Sequence, residues 1–316
     1  MIGNDKGMEK KILITTSSFA SEDPELLDEI KKEGFDCWLN PYGRTLSEAE
    51  LIEVLESRRP VGMLAGTERI GEGILTRAQG FLKVISRIGV GWENVDLQTA
   101  RRLGMKVFRT EKVLTQAVGE LTIAMMLAAL RNLIEHDRAL KEGEWKKVMG
   151  SLLAGKVVGI IGYGEIGRYV GRLAMAFGAE VLYHDPYVEI NEPWAKRTSL
   201  AELLAGSDIV SLHAGGREVI LGEEELKACR RGVIIINTAR GGLIEEGALD
   251  HLLSHGHIGY ACLDVFEEEP YYGPLVRHKN VLMTPHVGSY AREARVQMER
   301  KAVENLFRGL REAGIL

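Results

Sequence analysis

Short apolar runs separated by polar, glycine-containing segments recur along most of this chain. In its first third they predict a helix over 23–32 and strands at Lys11–Thr15, Val61–Ala65, Leu82–Ser86 and Lys106–Phe108. Strands that alternate with helices form parallel sheets whose two faces are covered. The pattern therefore predicts one parallel sheet in this part of the chain.

A long apolar helix, predicted over Val118–Asn132, precedes a second series of the same kind. This series contains predicted strands at Val157–Ile161, Val181–His184, Ile209–Leu212, Val233–Asn237, Tyr260–Leu263 and Val281–Thr284. Helical segments separate these runs, so that a second and larger parallel sheet is predicted in the middle of the chain.

The last predicted helix, Ala291–Leu310, has Met298, Val303, Leu306 and Leu310 on one apolar face. No repeat and no glycine-serine linker divides the chain. The predicted fold is α/β, with two doubly wound parallel-sheet domains. One domain comprises residues 1–117 and 290–316, and the other, residues 118–289, is inserted into it.

Composition and charge exclude several classes of function. The chain has 316 residues, 45% hydrophobic and 27% charged, an ordinary globular mixture for two domains. Its net charge of -5 favours neither nucleic acid nor an anionic membrane. The longest apolar run, Leu121–Leu130, is far shorter than the ~20 residues that span a bilayer. Cys37, Cys229 and Cys262 lack disulfide or metal-site spacing, which predicts no metal and a reduced, cytoplasmic location.

The most specific motif follows the predicted strand Val157–Ile161. Gly162, Gly164 and Gly167 stand in the pattern Gly-x-Gly-x-x-Gly between that strand and a helix. The first glycine allows a tight turn, the second a close approach of the backbone to a ligand, and the third close packing of helix on strand. Free N–H groups and the dipole at the helix N-terminus can then hold a pyrophosphate. A glycine-rich turn that binds nothing is the alternative.

Asp185, at the end of the next predicted strand, favours dinucleotide binding over that alternative. An acid about 20 residues after the glycines accepts hydrogen bonds from the adenosine ribose hydroxyls. Glu165 and Ile166, between the last two glycines, join the predicted cofactor contacts. No arginine directly follows Asp185, and a carboxylate repels a 2′-phosphate, so the predicted cofactor is NAD.

Arg240, Glu269 and His286 each lie a few residues after one of the last three predicted strands. Ligands of open α/β sheets bind beyond the carboxyl ends of the strands, so these side chains are expected on one rim. A cation can hold a carboxylate and polarise a carbonyl. Histidine can give or take a hydroxyl proton near neutral pH, and a carboxylate beside it favours the charged ring.

Each of the three side chains also has a structural alternative. His286 could be a capping residue after a Thr-Pro pair, Arg240 could cover a surface, and Glu269 could belong to a solvated loop. Their joint occurrence beside a dinucleotide motif instead favours interconversion of a 2-hydroxy acid and a 2-oxo acid.

Four motifs, taken together, resemble one enzyme family over nearly the whole chain. They are Gly162–Gly167, Asn237–Gly242, Leu263–Pro270 and Thr284–Ser289, and they occur in the order found in D-isomer-specific 2-hydroxyacid dehydrogenases. The resemblance implies a Rossmann NAD-binding domain inserted into a flavodoxin-like substrate domain that closes over the substrate.

The resemblance also implies the roles of the site residues. Arg240 would bind the substrate, His286 would be the acid/base, and Glu269, directly before a proline, would be the partner of the histidine. Further cofactor contacts would come from His213, Thr238, Ala239, Asp264, His286 and Gly288.

Within that family, the first domain resembles phosphoglycerate dehydrogenases. The resemblance lies in the stretches Asn40–Arg44, Ala65–Glu68, Leu82–Gly91 and Asn94–Asp96. Loop N–H groups can hold a carboxylate, and the arginine fork suits phosphate, although ordinary turns and surface arginines remain the alternatives. The predicted substrate contacts are Arg44, Gly66, Thr67, Arg87, Gly89, Val90 and Arg240.

Two departures from the family pattern affect this interpretation. After His213 the chain has Ala214-Gly215-Gly216 where the family usually has Pro-Leu-Thr, which puts the cofactor contacts of that loop in doubt. The loop at Gly66 lacks an arginine that some phosphoglycerate enzymes carry nearby.

The sequence therefore predicts an NAD-dependent oxidoreductase for a D-2-hydroxy acid and its 2-oxo acid, with the pair 3-phosphoglycerate and 3-phosphohydroxypyruvate favoured. A glyoxylate or hydroxypyruvate reductase is the near alternative, because such an enzyme needs no phosphate anchor. A non-catalytic NAD(H)-sensing protein, like the corepressors of this superfamily, is the alternative from another class. The predicted partners are the small-molecule acid and, by resemblance around Trp145, a second copy in a homodimer.

Overall fold

The structure is a computed structural model that describes residues 10–216 and 218–316. It contains two compact units. One comprises the described residues up to Leu114 together with Ala291–Leu316, and the other is Thr115–Tyr290. The chain thus passes between units at 114/115 and 290/291, where the sequence predicts 117/118 and 289/290.

The first unit contains a parallel sheet of five strands in the order β2-β1-β3-β4-β5. The strands are β1 Lys11–Ile14, β2 Asp36–Leu39, β3 Gly62–Ala65, β4 Val84–Arg87 and β5 Lys106–Arg109. The helices are α1 Glu25–Lys32, α2 Glu48–Arg58, α3 Glu72–Arg77, α4 Leu97–Arg102 and α11 Arg292–Glu312.

The C-terminal helix α11 completes the core of this unit. The four residues predicted on its apolar face, Met298, Val303, Leu306 and Leu310, are all buried. A Cβ on Gly309 would lie 2.7 Å from Val84, so the absence of a side chain there lets the helix approach the inner strand β4. Segments from both ends of the chain therefore fold into one unit.

The second unit contains a parallel sheet of seven strands in the order β12-β11-β10-β9-β6-β7-β8. Its strands are β6 Val157–Ile161, β7 Glu180–His184, β8 Ala195–Arg197, β9 Ile209–Leu212, β10 Val233–Asn237, β11 Ile258–Leu263 and β12 Val281–Met283. Its helices are α5 Thr115–Leu130, α6 Leu133–Lys141, α7 Glu165–Ala176, α8 Leu200–Gly206, α9 Glu223–Ala228 and α10 Glu246–Ser254, with a 3-10 turn at Pro274–Arg277.

The predicted fold class, two parallel sheets with helices, is confirmed. The sequence analysis missed two short edge strands, β2 and β8. Both have partly polar, exposed residues, because an edge strand covers less of the core than a central one. The helix predicted over Val118–Asn132 is also shorter at its end: Asn132, at a left-handed φ of 49°, separates α5 from α6.

No single helix within the described residues is long and apolar enough to cross a membrane. Helices α5 and α6 reach the length and apolar composition of a membrane span only when they are taken together, and the chain bends by 63° between them.

Candidate active site

The glycine-rich turn lies at the point where the strand order of the second sheet reverses. β6 pairs with β7 on one side and β9 on the other, so a crevice opens beyond their carboxyl ends. Gly162, directly after β6, has a φ of 89°. A Cβ on Gly162 would lie 2.5 Å from the Ala214 nitrogen, and one on Gly167 would lie 2.1 Å from the Gly162 oxygen. The turn is therefore compatible only with glycine at both positions.

The start of α7 has the features that a pyrophosphate requires. A Cβ on Gly164 would meet nothing within 4 Å, so the space before the helix is open. Gly164 caps the helix without a side-chain hydrogen bond, and the N–H groups of Ile166 and Gly167 have no acceptor among residues 10–216 and 218–316. Together with the helix dipole, these groups fit a dinucleotide phosphate.

Asp185, at the end of β7, holds the glycine turn from the neighbouring strand. It is buried, and its carboxylate accepts hydrogen bonds from the N–H groups of Tyr163 at 2.7 Å, Tyr187 at 2.8 Å and Val188 at 3.0 Å. A carboxylate offers about four lone-pair sites, so it can still accept a bond from a ribose hydroxyl. This position fits the prediction that Asp185 accepts hydrogen bonds from the hydroxyls of the adenosine ribose.

We expect the protein to prefer NADH over NADPH, and Asp185→Ser with Tyr187→Arg to weaken or invert this preference. The change removes a negative charge and adds a cation at Tyr187, which is 94% exposed. A contact to a charged group is worth about 1.5–3 kcal/mol, so the ratio of kcat/KM values should shift by roughly ten- to a hundredfold. Glu189→Ser, two residues further on, is the control. Equal efficiency of the unmodified protein with both cofactors would show that Asp185 does not discriminate.

His286 lies in a loop after β12 that is held by the fully buried Asp264. The Asp264 carboxylate accepts hydrogen bonds from the Thr284 hydroxyl at 2.5 Å and from the N–H groups of Val287 and Gly288, each at 2.8 Å. Its backbone oxygen accepts from the His286 N–H at 2.9 Å. His286 itself has a left-handed φ of 54°. Asp264, predicted to contact the cofactor, therefore uses its carboxylate to shape the histidine loop.

Glu269 orients the imidazole ring of His286. The distance from His286 Nδ1 to Glu269 Oε2 is 2.8 Å, and Glu269 Oε1 accepts the Phe266 N–H at 3.1 Å. Burial raises the pKa of Glu269, but the hydrogen bond and charge of His286, the Phe266 N–H and the charge of Arg240 outweigh it and lower the pKa. Glu269 is thus an anion at neutral pH, and Nε2 is the ring nitrogen left for proton exchange.

The loop after β10 brings Arg240 toward this pair. Asn237 shapes the loop: its amide donates to the Arg240 oxygen at 2.9 Å, and its oxygen accepts the Ala239 N–H at 3.1 Å. A Cβ on Gly241 would lie 1.7 Å from the Phe266 oxygen, so only glycine lets the two loops pack together. The structure thus collects Arg240, Glu269 and His286 at one end of the second sheet.

Two other side chains at this end complete its polar network. The hydroxyl groups of Thr238 and of Thr122, in α5, lie 2.8 Å apart and share a hydrogen bond. The Thr122 hydroxyl is also within hydrogen-bond distance, 2.7 Å, of the Val118 backbone oxygen. The sequence analysis missed Thr122, although a buried threonine within an apolar helix is a recognisable signal. His213 follows β9; burial lowers its pKa to about 3, and its Nε2 lies 2.9 Å from the Ser211 hydroxyl.

In the first unit, the backbone amide predicted to hold a substrate carboxylate at Gly66 is already engaged. The Gly66 N–H donates to the Thr15 hydroxyl and to Glu68 Oε1, each at 3.0 Å. Glu68 is buried and was missed by the sequence analysis. The neighbouring Thr67 hydroxyl lies 3.3 Å from that of Thr45.

The second predicted substrate loop of the first unit is covered by its own arginine. Arg87 donates to the Ile88 oxygen, and a Cβ on Gly89 would lie 1.5 Å from its guanidinium. The Val90 oxygen accepts from Arg109 at 3.5 Å, and Arg109 stacks 4.1 Å from the centre of the Trp92 ring. Arg109 is a further cation that the sequence analysis did not select.

Arg44 forms a two-pronged ion pair with Glu50. The Nη1–Oε2 and Nη2–Oε1 distances are 2.9 Å and 2.7 Å. The hydrogen bond from Arg44 is the largest cause that lowers the pKa of Glu50 to about 2. The charge of Arg44 is therefore compensated within the first unit.

Comparison with known proteins gives consistent results. The family model described as "D-isomer specific 2-hydroxyacid dehydrogenase, NAD binding domain" matches residues 123–288. A glyoxylate reductase of Aeropyrum pernix is 38% identical over 94% of this chain and 91% of that protein. A D-3-phosphoglycerate dehydrogenase of Methanocaldococcus jannaschii is 37% identical over 84% of this chain but 52% of that protein. The crystal structure of the TT0316 protein from Thermus thermophilus matches with a TM-score of 0.88 and 36% identity, over 96% of this chain and 97% of that one.

Proposed function

Because the chain belongs to the D-isomer-specific 2-hydroxyacid dehydrogenase family and is thus an NAD-dependent enzyme acting on CH–OH donors, we propose that it reduces small unphosphorylated 2-oxo acids of the glyoxylate and hydroxypyruvate class. The observation that carries this choice is the ion pair of Arg44 with Glu50. A compensated arginine is a weak anchor for a substrate phosphate, whose unpaired charge is costly to bury. The names of several similar proteins, glyoxylate reductase and hydroxypyruvate reductase, support the same choice.

The proposed chemistry uses the cluster at the end of the second sheet. NADH, when bound at the turn before α7, supplies the hydride. Arg240 holds the substrate carboxylate and polarises the carbonyl. His286, oriented by the hydrogen bond between its Nδ1 and Glu269, donates its Nε2 proton to the oxygen that becomes the hydroxyl. In the oxidative direction the neutral ring of His286 takes that proton back.

Cofactor contacts are proposed for the residues that the sequence analysis selected in the second unit. Asp185 would read the ribose, and Thr238 and Ala239 would line the nicotinamide. The neutral ring of His213 would pack at the same rim, and Asp264 would act chiefly by fixing the His286 loop. In the first unit, the roles of Gly66, Thr67, Gly89 and Val90 in substrate binding stay predictions.

3-Phosphoglycerate is the second candidate substrate. It is favoured by the similarity to proteins named D-3-phosphoglycerate dehydrogenase, at 37% and 34% identity. In that case Arg87, half-buried in its loop, would be the phosphate anchor.

The two candidates predict different effects of Arg87→Ala. If the substrate is unphosphorylated, the KM values for hydroxypyruvate and 3-phosphohydroxypyruvate should change by the same factor, and glyoxylate and hydroxypyruvate should be the better substrates. If Arg87 binds a phosphate, only the KM for the phosphorylated acid should rise, by roughly ten- to a hundredfold. NADH oxidation with a panel of 2-oxo acids measures both the KM values and the preferred substrate.

Arg77→Ala, at an exposed arginine paired with Glu56, is the matched control. A panel without any turnover would contradict the catalytic proposal itself.

We propose a homodimer through an apolar surface of the second unit. The exposed fractions of Leu140, Trp145, Met149 and Leu152 are 59%, 83%, 94% and 69%. Large exposed apolar patches mark interaction sites. Trp145→Ser with Met149→Ser should therefore convert a dimer into a monomer in sedimentation experiments, whereas Tyr272→Ser, at an equally exposed aromatic residue, should not. A monomeric unmodified protein would refute this proposal.

The cytoplasmic location predicted from the cysteines stays a prediction. All three cysteines are free thiols in the structure. This supports a reducing compartment, in which thiols persist.

A further inference from the structure

The loop between β7 and β8, residues 185–194, is fastened to the glycine turn by Glu192. The side chain of Glu192 is 14% exposed. Its Oε2 accepts the Tyr163 hydroxyl at 2.8 Å, and its Oε1 accepts Nη2 of Arg168 at 2.6 Å and Nε at 3.1 Å. Tyr163 lies between the first two glycines of the turn, and Arg168 directly follows the third. Both contacts of Glu192 are therefore with the segment predicted to hold the pyrophosphate.

Tyr163 connects Glu192 with Asp185. Its backbone N–H donates to Asp185 Oδ2 at 2.7 Å, while its hydroxyl donates to Glu192. The ring between these two groups is fully buried and stacks on Tyr183 of β7, with the ring centres 3.8 Å apart. Burial, followed by the hydrogen bond to Glu192, raises the pKa of Tyr163, so the hydroxyl keeps its proton and stays a donor. One residue of the turn is thus held by two carboxylates of the same loop.

The contacts of Asp185 and Glu192 lie at opposite ends of that loop. Asp185 Oδ1 accepts the N–H groups of Tyr187 and Val188, at 2.8 Å and 3.0 Å, at its beginning. Without Glu192 near its end, the Tyr163 hydroxyl would be a buried donor with no acceptor among residues 10–216 and 218–316. Such a donor is unfavourable. Movement of the ring relieves that cost but also shifts its backbone N–H relative to Asp185.

We propose that Glu192 is a positioning residue for the adenosine half of the cofactor. It acts through Tyr163, whose N–H orients the Asp185 carboxylate that is proposed to read the ribose hydroxyls. The proposal rests on that placement of the ribose and not on the identity of the 2-oxo acid. A binding group already held in its bound arrangement loses less affinity to ordering. When only a fraction of the molecules has that arrangement, the apparent dissociation constant rises in inverse proportion to the fraction.

The test is calorimetric titration of the full chain with ADP-ribose, which has the adenosine half and both phosphates but no nicotinamide. Glu192→Ala should raise the dissociation constants of ADP-ribose and NADH roughly tenfold, the factor expected when about a tenth of the molecules keep the competent arrangement. Glu192→Gln retains an oxygen for the Tyr163 hydroxyl, so its affinity should lie between those of Glu192→Ala and the unmodified protein. The KM for NADH should rise likewise, while kcat at saturating NADH stays near its original value.

Tyr163→Phe isolates the hydroxyl contact because it keeps the stacked ring. It should also weaken ADP-ribose binding. Combining it with Glu192→Ala should add little to the effect of Glu192→Ala, because both changes remove the same hydrogen bond. Glu189→Ala is the matched control: this acid of the same loop is 86% exposed and pairs with Arg197 at 2.9 Å, so its loss should leave the affinity unchanged.

Circular dichroism shows whether each variant is folded; if Glu192→Ala is not, Glu192→Gln and Tyr163→Phe carry the test. Asp185→Asn tests the placement of the ribose and should weaken ADP-ribose binding. Unchanged affinity in Asp185→Asn would overturn that placement and this proposal with it. Unchanged affinity in the variants of Glu192 and Tyr163, with a loss in Asp185→Asn, would overturn only the role of Glu192, as would an equal loss in Glu189→Ala. The titrations need no turnover, so a wrong substrate class would not alter their result.

Discussion

Replacing His286 with alanine should lower turnover by the ~10²–10⁴-fold typical of a lost general acid or base, while NADH still binds. The reason is geometric. Glu269 holds Nδ1 of the ring at 2.8 Å, which leaves Nε2 as the nitrogen for proton exchange. The cofactor turn at Gly162 lies after a different strand, so its contacts should survive the substitution. Stopped-flow turnover and NADH fluorescence titration measure the two effects separately. Near-normal turnover of His286→Ala would remove the histidine from the mechanism.

Glu269→Gln is the informative companion of that variant. The pKa of Glu269 is lowered, so the residue carries its charge throughout the neutral range and favours the protonated ring. Reduction needs the protonated ring and should fall as the pH rises. Without the carboxylate charge, this fall should occur at lower pH. Oxidation needs the neutral ring, so its rising limb should move in the same direction. An unchanged pH–rate profile in Glu269→Gln would show that Glu269 does not influence the proton transfer by His286.

Asp264→Ala should lower turnover by about 10²-fold, because a misplacement of about 1 Å in a catalytic group has an effect of that size. Asp264 is fully buried, and its carboxylate accepts hydrogen bonds from Thr284, Val287 and Gly288. Without it the loop is free to relax from the left-handed conformation that His286 adopts at a φ of 54°. The buried N–H group of Gly288 and the half-buried one of Val287 also lose their acceptor. An unsatisfied buried group costs about 1–3 kcal/mol, so the free energy of unfolding should fall.

The split between kinetic constants distinguishes the two roles of Asp264. If it positions the His286 loop, kcat should fall while the dissociation constant of NADH changes little. If it binds the nicotinamide instead, the dissociation constant should rise and kcat should change less. Asp264→Asn keeps one oxygen that can still accept from Thr284 and Val287, so it should restore part of kcat. Circular dichroism checks that Asp264→Ala is folded. No recovery of turnover in Asp264→Asn relative to Asp264→Ala would argue against positioning by these hydrogen bonds.

The central strands and the cofactor turn were the most predictable parts of the molecule. Strands such as Ile209–Leu212 and Val233–Asn237 have the predicted bounds, because a strand buried on both faces is a continuous apolar run. The polar edge strands β2 and β8 lack that signal and escaped prediction. The glycines of the cofactor turn were also predictable from the sequence. Their contacts are with backbone atoms of the same turn, as at Gly167 beside the Gly162 oxygen, and such contacts exclude any side chain.

The sequence by itself determined the α/β class, the dinucleotide turn and the catalytic candidates Arg240, Glu269 and His286, because these depend on local periodicity and short motifs. Only the tertiary structure decided which charged and polar groups pair with one another. Arg44 pairs with Glu50, the Gly66 amide is engaged by Glu68, and Asp264 holds the His286 loop. Whether a charged group has a partner depends on which strand ends the fold brings together, and no local pattern contains that information.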